Sequence, residues 1–120
     1  MYSISEDMAV LAAQVMSDHP ELMACNATIA YMQSDRSKKL NGTTTFGDTR
    51  KIPDREAVLW GYDFIITFYA EITKLTDEGL YRLMLHELMH VGVDGDKMYT
   101  VPHDFEDFKL LIDLYGTDYI

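Results

Sequence analysis

Thr76-Asp77-Glu78-Gly79-Leu80-Tyr81-Arg82-Leu83-Met84-Leu85-His86-Glu87-Leu88-Met89-His90-Val91-Gly92 is the stretch that organises this chain. Thr76 is a helix N-cap residue, and Asp77 and Glu78 complement the positive end of the helix that follows. The spacing predicts a helix running to about Val91 and ending at Gly92. Leu80, Leu83, Met84, Leu85, Leu88, Met89 and Val91 are apolar on nearly every side, the pattern of a helix buried in a core. Within it His86 and His90 stand one turn apart, so both imidazoles project from one face, with Glu87 beside them. Two nitrogen ligands and a neighbouring carboxylate suit a zinc ion and its water. The blander alternative is a hydrogen-bonded structural cluster. Burying two histidines and a carboxylate without partners would be costly, which favours the metal.

A catalytic zinc ion takes three protein ligands and leaves one position open. Cys25 is the only cysteine, so an internal disulfide and a cysteine-only metal site are both excluded, and a third ligand must be His, Asp or Glu. His103 is the best candidate, in Val101-Pro102-His103-Asp104 at the start of a last helix. That helix carries Phe105, Phe108, Leu111, Ile112 and Tyr115 at helical spacing and closes at Gly116. Asp96 is second, reached by a turn through Val91-Gly92-Val93-Asp94-Gly95-Asp96, although the longer metzincin-like motif wants Gly where Val93 stands. Glu106 or Asp107 could supply a carboxylate ligand, or suit the helix dipole as first-turn acids. Asp104 or Asp107 could orient a ligand histidine from behind. His19, beside Pro20, reads as a surface residue.

Outward from this helix, Ser5 caps an N-terminal helix with Glu6 and Asp7 in its first turn. Met8, Leu11, Ala12, Val15 and Met16 lie on one face, and the helix stops near His19-Pro20. Ala27 to Met32 alternates like a strand, and Asn41-Gly42 before Thr43-Thr44-Thr45-Phe46 signals a hairpin, giving a two-stranded ribbon with basic ends. Gly61 to Ala70 is rich in β-branched and aromatic residues and too apolar on both faces for an edge in water, so it reads as a buried strand. Nothing divides the 120 residues into separate units, and a single domain over 1–120 is expected.

With 10 basic against 20 acidic residues the chain carries a formal charge of −10, which argues against general nucleic-acid binding. Arg36, Lys38, Lys39, Arg50, Lys51 and Arg55 nevertheless cluster between positions 36 and 55. A solvated hairpin rim is the simpler reading, a patch for an acidic partner the other. No window approaches the roughly 18 uninterrupted apolar residues of a membrane span, and no basic flank precedes an apolar run at the start. A soluble cytoplasmic protein without membrane partners is expected.

His86-Glu87-Leu88-Met89-His90-Val91-Gly92-Val93, then Pro102-His103-Asp104-Phe105-Glu106-Asp107-Phe108 and Leu114-Tyr115-Gly116, together resemble the phage metallopeptidase family, small proteins encoded by bacteriophages and prophages. Trp60-Gly61-Tyr62-Asp63-Phe64-Ile65-Ile66 and Ala30-Tyr31-Met32-Gln33-Ser34-Asp35 extend the likeness over nearly the whole chain. The resemblance implies a zincin-like α+β fold, with an N-terminal helix, a small, mostly antiparallel sheet, a central active-site helix and a C-terminal helix. It further implies Zn2+ held by His86, His90 and His103, with Glu87 as catalytic base and acid in peptide-bond hydrolysis. In zincins a strand beside the active-site helix pairs with extended substrate, and either Tyr62 to Ala70 or Thr43 to Asp48 could serve. Related small zincins, the SprT-like and ImmA/IrrE-like peptidases, suggest DNA-bound proteins or repressors as substrates. The acidic balance and the missing cysteine-rich ribbon weaken the first of these. Tyr99 and Tyr115 are the candidates for stabilising a developing oxyanion. Two other functions remain open: a non-catalytic, metal-stabilised binding module and a non-peptidase zinc amidohydrolase.

Overall fold

The computed structural model describes residues 1–23, 27–94 and 97–101. It is a mixed α+β arrangement in which two helices cover one face of a small sheet. The chain opens with β1 (Tyr2–Ile4) and passes through Ser5 into α1 (Glu6–Asp18). Ser5 Oγ accepts from the Met8 N–H at 3.2 Å, the expected cap, and Met8, Ala12 and Val15 form the buried face. His19 closes the helix before the single turn α2 (Pro20–Met23).

β2 (Ile29–Ser34) follows, then the hairpin of β3 (Lys38–Leu40) and β4 (Thr43–Thr45). Asn41 and Gly42 have φ of 53° and 80°, the two positive values that a tight hairpin matching strand twist demands. The expected ribbon is present, but the Thr43 to Asp48 strand is not one strand. It breaks at Phe46, which packs against the core while its carbonyl accepts from the Tyr69 N–H at 2.9 Å. The chain thereby leaves the ribbon and enters the main sheet as β5 (Gly47–Lys51).

α3 (Asp54–Trp60), absent from the sequence reading, buries none of its residues, so no periodic apolar face betrays it. Gly61, read as the start of a strand, instead caps α3 with φ of 78°. The strand proper, β6 (Phe64–Phe68), is shorter than expected but buried as expected, with Phe64, Ile66 and Phe68 fully enclosed. A 3₁₀ turn (Ala70–Lys74) leads to α4 (Asp77–Met89), whose cap Thr76 accepts from the Gly79 N–H at 3.0 Å.

The main sheet runs β1-β2-β6-β5, antiparallel except for the parallel β2/β6 pair. Tyr31, Ile66 and Thr49 are successive partners across β2, β6 and β5, so they share a face. Tyr31 and Ile66 join Met8, Ala12 and Val15 of α1 and Leu83, Met84 and Leu88 of α4 in one apolar cluster on that face. Full burial of each such aliphatic side chain stabilises by about 1.5–3 kcal/mol, which is why the two helices sit where they do.

α4 ends earlier than predicted. His90 is its C-cap, and Gly92, expected to terminate the helix, lies within β7 (Val91–Asp94), which pairs antiparallel with β8 (Lys97–Thr100). The last helix expected after Pro102 lies outside the described residues. Among the basic residues of positions 36–55, Lys38 pairs with Asp48, Lys51 with Asp54 and Arg55 with Glu56. No helix among the described residues is long and apolar enough to cross a membrane.

Candidate metal centre

α4 is buried over most of its length, and His86 and Glu87 are 7% and 3% exposed. One turn of helix separates His86 from His90, and their Nε2 atoms converge to 3.1 Å with the rings nearly perpendicular. Nitrogen ligands about 2.0–2.1 Å from a tetrahedral metal would lie about 3.3 Å apart, so the pair has the spacing of two zinc ligands.

The far side of His90 is held by the hairpin that follows it. Its Nδ1 lies 2.6 Å from the Val101 carbonyl, while the Val101 N–H donates to the His90 carbonyl at 2.7 Å. A carbonyl only accepts, so the proton of neutral His90 sits on Nδ1, and Nε2 presents its lone pair toward His86.

Glu87 faces β5. Thr49 Oγ1 lies 2.8 Å from Glu87 Oε1 and 3.0 Å from the Glu87 carbonyl oxygen, joining the strand to the helix at this residue. Gly47 lies beside both elements: a Cβ there would stand 3.2 Å from the Thr67 carbonyl oxygen, a tight approach within the sheet, and 3.6 Å from Glu87 Cγ, an ordinary contact. Burial pushes the Glu87 carboxyl up from 4.5 to about 7; the Thr49 hydroxyl opposes the rise and the Asp48 charge adds to it. In the metal-free protein the result is a carboxyl that exchanges its proton near neutral pH.

Asp48 points to the other face of the sheet, where it accepts from the Tyr69 hydroxyl at 2.7 Å and from Lys38 Nζ at 2.6 Å. Burial, with the Asp48 hydrogen bond, holds the Tyr69 phenol well above its ordinary range, so it remains a donor. Thr49, Gly47 and Asp48 were not singled out by the sequence. Their relation to Glu87 depends on β5/β6 register, which no local pattern announces.

The sequence candidates divide cleanly. His86, Glu87 and His90 come together on α4. His103, Asp104, Asp107, Asp96 and Glu106 lie outside the described residues, and among the described ones no group of three His, Cys, Asp or Glu side chains converges to hold a metal. His19 sits half-buried at the end of α1, near Glu21 and the Tyr81 ring. Tyr99, a candidate oxyanion donor, lies on β8 with its ring against Gly92.

A family model described as "putative phage metallopeptidase" matches residues 1–120, the whole chain. The chain belongs to this family. No curated protein and no solved structure matches it. Membership in the phage metallopeptidase family implies a metal ion, and the donor set on α4 suits one: two imidazole nitrogens converging at ligand spacing, beside a buried carboxyl.

Proposed function

We propose that this phage metallopeptidase is a zinc-dependent, HExxH-type peptidase, with the ion held by His86, His90 and His103. The observation that carries the reading is the convergence of the His86 and His90 Nε2 atoms at 3.1 Å beside the buried Glu87 carboxyl. Val101, two positions before His103, is hydrogen-bonded to His90, which supports His103 as third ligand. When bound, zinc supplies a Lewis acid that polarises a peptide carbonyl and acidifies a water molecule.

The chain's own residues do the rest. Glu87 takes a proton from the attacking water and later delivers one to the leaving amine nitrogen, a role open to a buried carboxyl beside the two imidazoles. Thr49 keeps the carboxyl in one orientation. An extended substrate strand cannot add to β6, one of the two strands expected to serve, because β2 and β5 already flank it. β5 is the hydrogen-bonded end strand of that sheet and borders α4 through Thr49, so we assign substrate pairing to β5, against which β8 also packs. The substrate class is a protein or peptide, and the site of action the host cytoplasm.

Glu87→Gln separates this reading from a metal-stabilised binding module. Elemental analysis of the purified variant should still find one zinc per chain, while cleavage of an unfolded protein such as casein, or of a mixed peptide library, falls to background. A module without turnover would leave wild type and Glu87→Gln indistinguishable in both measurements. Replacing both His86 and His90 by alanine should remove the zinc; retention of stoichiometric metal would refute the assignment of these ligands.

A further inference from the structure

His90 Nδ1 faces the Val101 carbonyl just past the far strand of a short hairpin, so that hairpin's register bears on where the imidazole sits. Gly92 and Tyr99 are direct cross-strand partners in it. A Cβ built on Gly92 would fall 2.5, 2.7 and 2.8 Å from Tyr99 Cε2, Cδ2 and Cζ, well inside any real contact. The Tyr99 ring therefore lies against the bare Cα of Gly92, in space that any other residue would fill. Glycine within a strand weakens it unless something approaches closely, and an aromatic ring across the ladder supplies the missing contact.

The consequence runs two residues along each strand. Val91 pairs with Thr100 next to the Gly92/Tyr99 step, and His90 meets Val101 beyond it. A slip of one residue would turn every side chain of β8 to the opposite face and move the Val101 carbonyl off His90 Nδ1. Tyr99 is also nearly half exposed, so its ring contributes little to the core.

We propose that Gly92 and Tyr99 form a register clamp that positions His90 for metal binding, acting through the Val101 carbonyl. Both are positioning residues, and the proposal rests on His90 being a zinc ligand. It also reassigns Tyr99, since the clamp needs the ring and not the hydroxyl.

The test uses the full chain with zinc and a competing chromophoric chelator, comparing Tyr99→Phe, Tyr99→Ala, Gly92→Ala and the double variant Gly92→Ala/Tyr99→Ala. Tyr99→Phe should bind zinc as wild type does. Tyr99→Ala and Gly92→Ala should each bind at least about 10-fold more weakly, the scale on which lost support of a ligand histidine is felt. The double variant should match Tyr99→Ala, because alanine at position 92 harms only when the ring is there to collide with it. Long-range proton–nitrogen NMR of the zinc-free proteins gives a second readout: His90 should be the Nδ1–H tautomer in wild type and Tyr99→Phe, and lose that preference in the other three.

Unchanged zinc affinity in Gly92→Ala and Tyr99→Ala would overturn the clamp while leaving the metal site standing. A weakened Tyr99→Phe would overturn it too, by giving the role to the hydroxyl. Failure of wild type itself to bind zinc would sink the metal reading, and the tautomer measurement would still decide whether the clamp orients His90. Should Gly92→Ala not fold, Tyr99→Ala and the double variant probe the same contact without the collision.

Discussion

Glu87 concentrates the chemistry of this chain in one carboxyl. Helix geometry puts its neighbours His86 and His90 on one face, since residues four apart lie one turn from each other, and the spacing in the sequence was enough to say so. The state of Glu87 could not be read that way, because it depends on burial and on a strand distant in sequence. In the metal-free protein the folded carboxyl titrates near 7 against an ordinary 4.5, so the folded state binds a proton more tightly than the unfolded chain. For a raised value the sign is definite: the contribution to stability is fully present below pH 4.5 and is lost as pH rises through about 7. In chelator, wild type should therefore lose stability relative to Glu87→Gln between pH 4.5 and 7, by a gap on the order of 3 kcal/mol. Urea melts at several pH values measure this gap; a constant difference would mean that Glu87 is solvated as in an ordinary surface carboxylate.

Between elements, the junction of β5 and α4 matters most, and it hangs on Thr49. A hydroxyl has one proton, yet Thr49 Oγ1 stands within hydrogen-bond distance of both Glu87 Oε1 and the Glu87 carbonyl oxygen. It donates to the carboxylate when Glu87 is ionised, and can instead donate to the carbonyl while accepting from the carboxyl when Glu87 is protonated. Thr49→Val keeps the shape but leaves a buried carboxyl short of a partner, and should lower stability by about 1–3 kcal/mol in denaturant melts, with Thr49→Ser restoring most of it. Equal stability of the valine variant would show that the contact is not maintained. Elements with local signals were legible from the sequence: Ser5 and Thr76 announced α1 and α4, and Asn41-Gly42 announced the ribbon. Elements whose existence depends on distant partners were not. β1 is three residues that pair with β2, α3 buries nothing, and β7 and β8 form only because they meet each other. For the same reason the end of α4 was placed too late: Gly92 looked like a helix terminator and is a strand glycine beneath a tyrosine ring.

At the scale of the whole molecule the question is what a metal would do for a fold whose central helix contains two of its proposed ligands. α4 joins the core through Leu83, Met84, Leu85 and Leu88, so the face bearing His86 and His90 cannot move without disturbing the cluster shared with α1 and the sheet. A ligand that binds only the folded state stabilises it by RT ln(1 + [L]/Kd), about 2.7 kcal/mol when free ligand stands at 100 times Kd. Calorimetric melting of the full chain across a zinc series should therefore show a Tm that climbs with free zinc and falls by several degrees in excess chelator. The same climb is expected for Glu87→Gln, which keeps both imidazoles, and none is expected when His86 and His90 are both alanine. This measurement needs no substrate. It therefore distinguishes a protein that binds no metal, whose Tm would ignore zinc altogether, from a metalloprotein whose peptide bond of choice has yet to be offered to it.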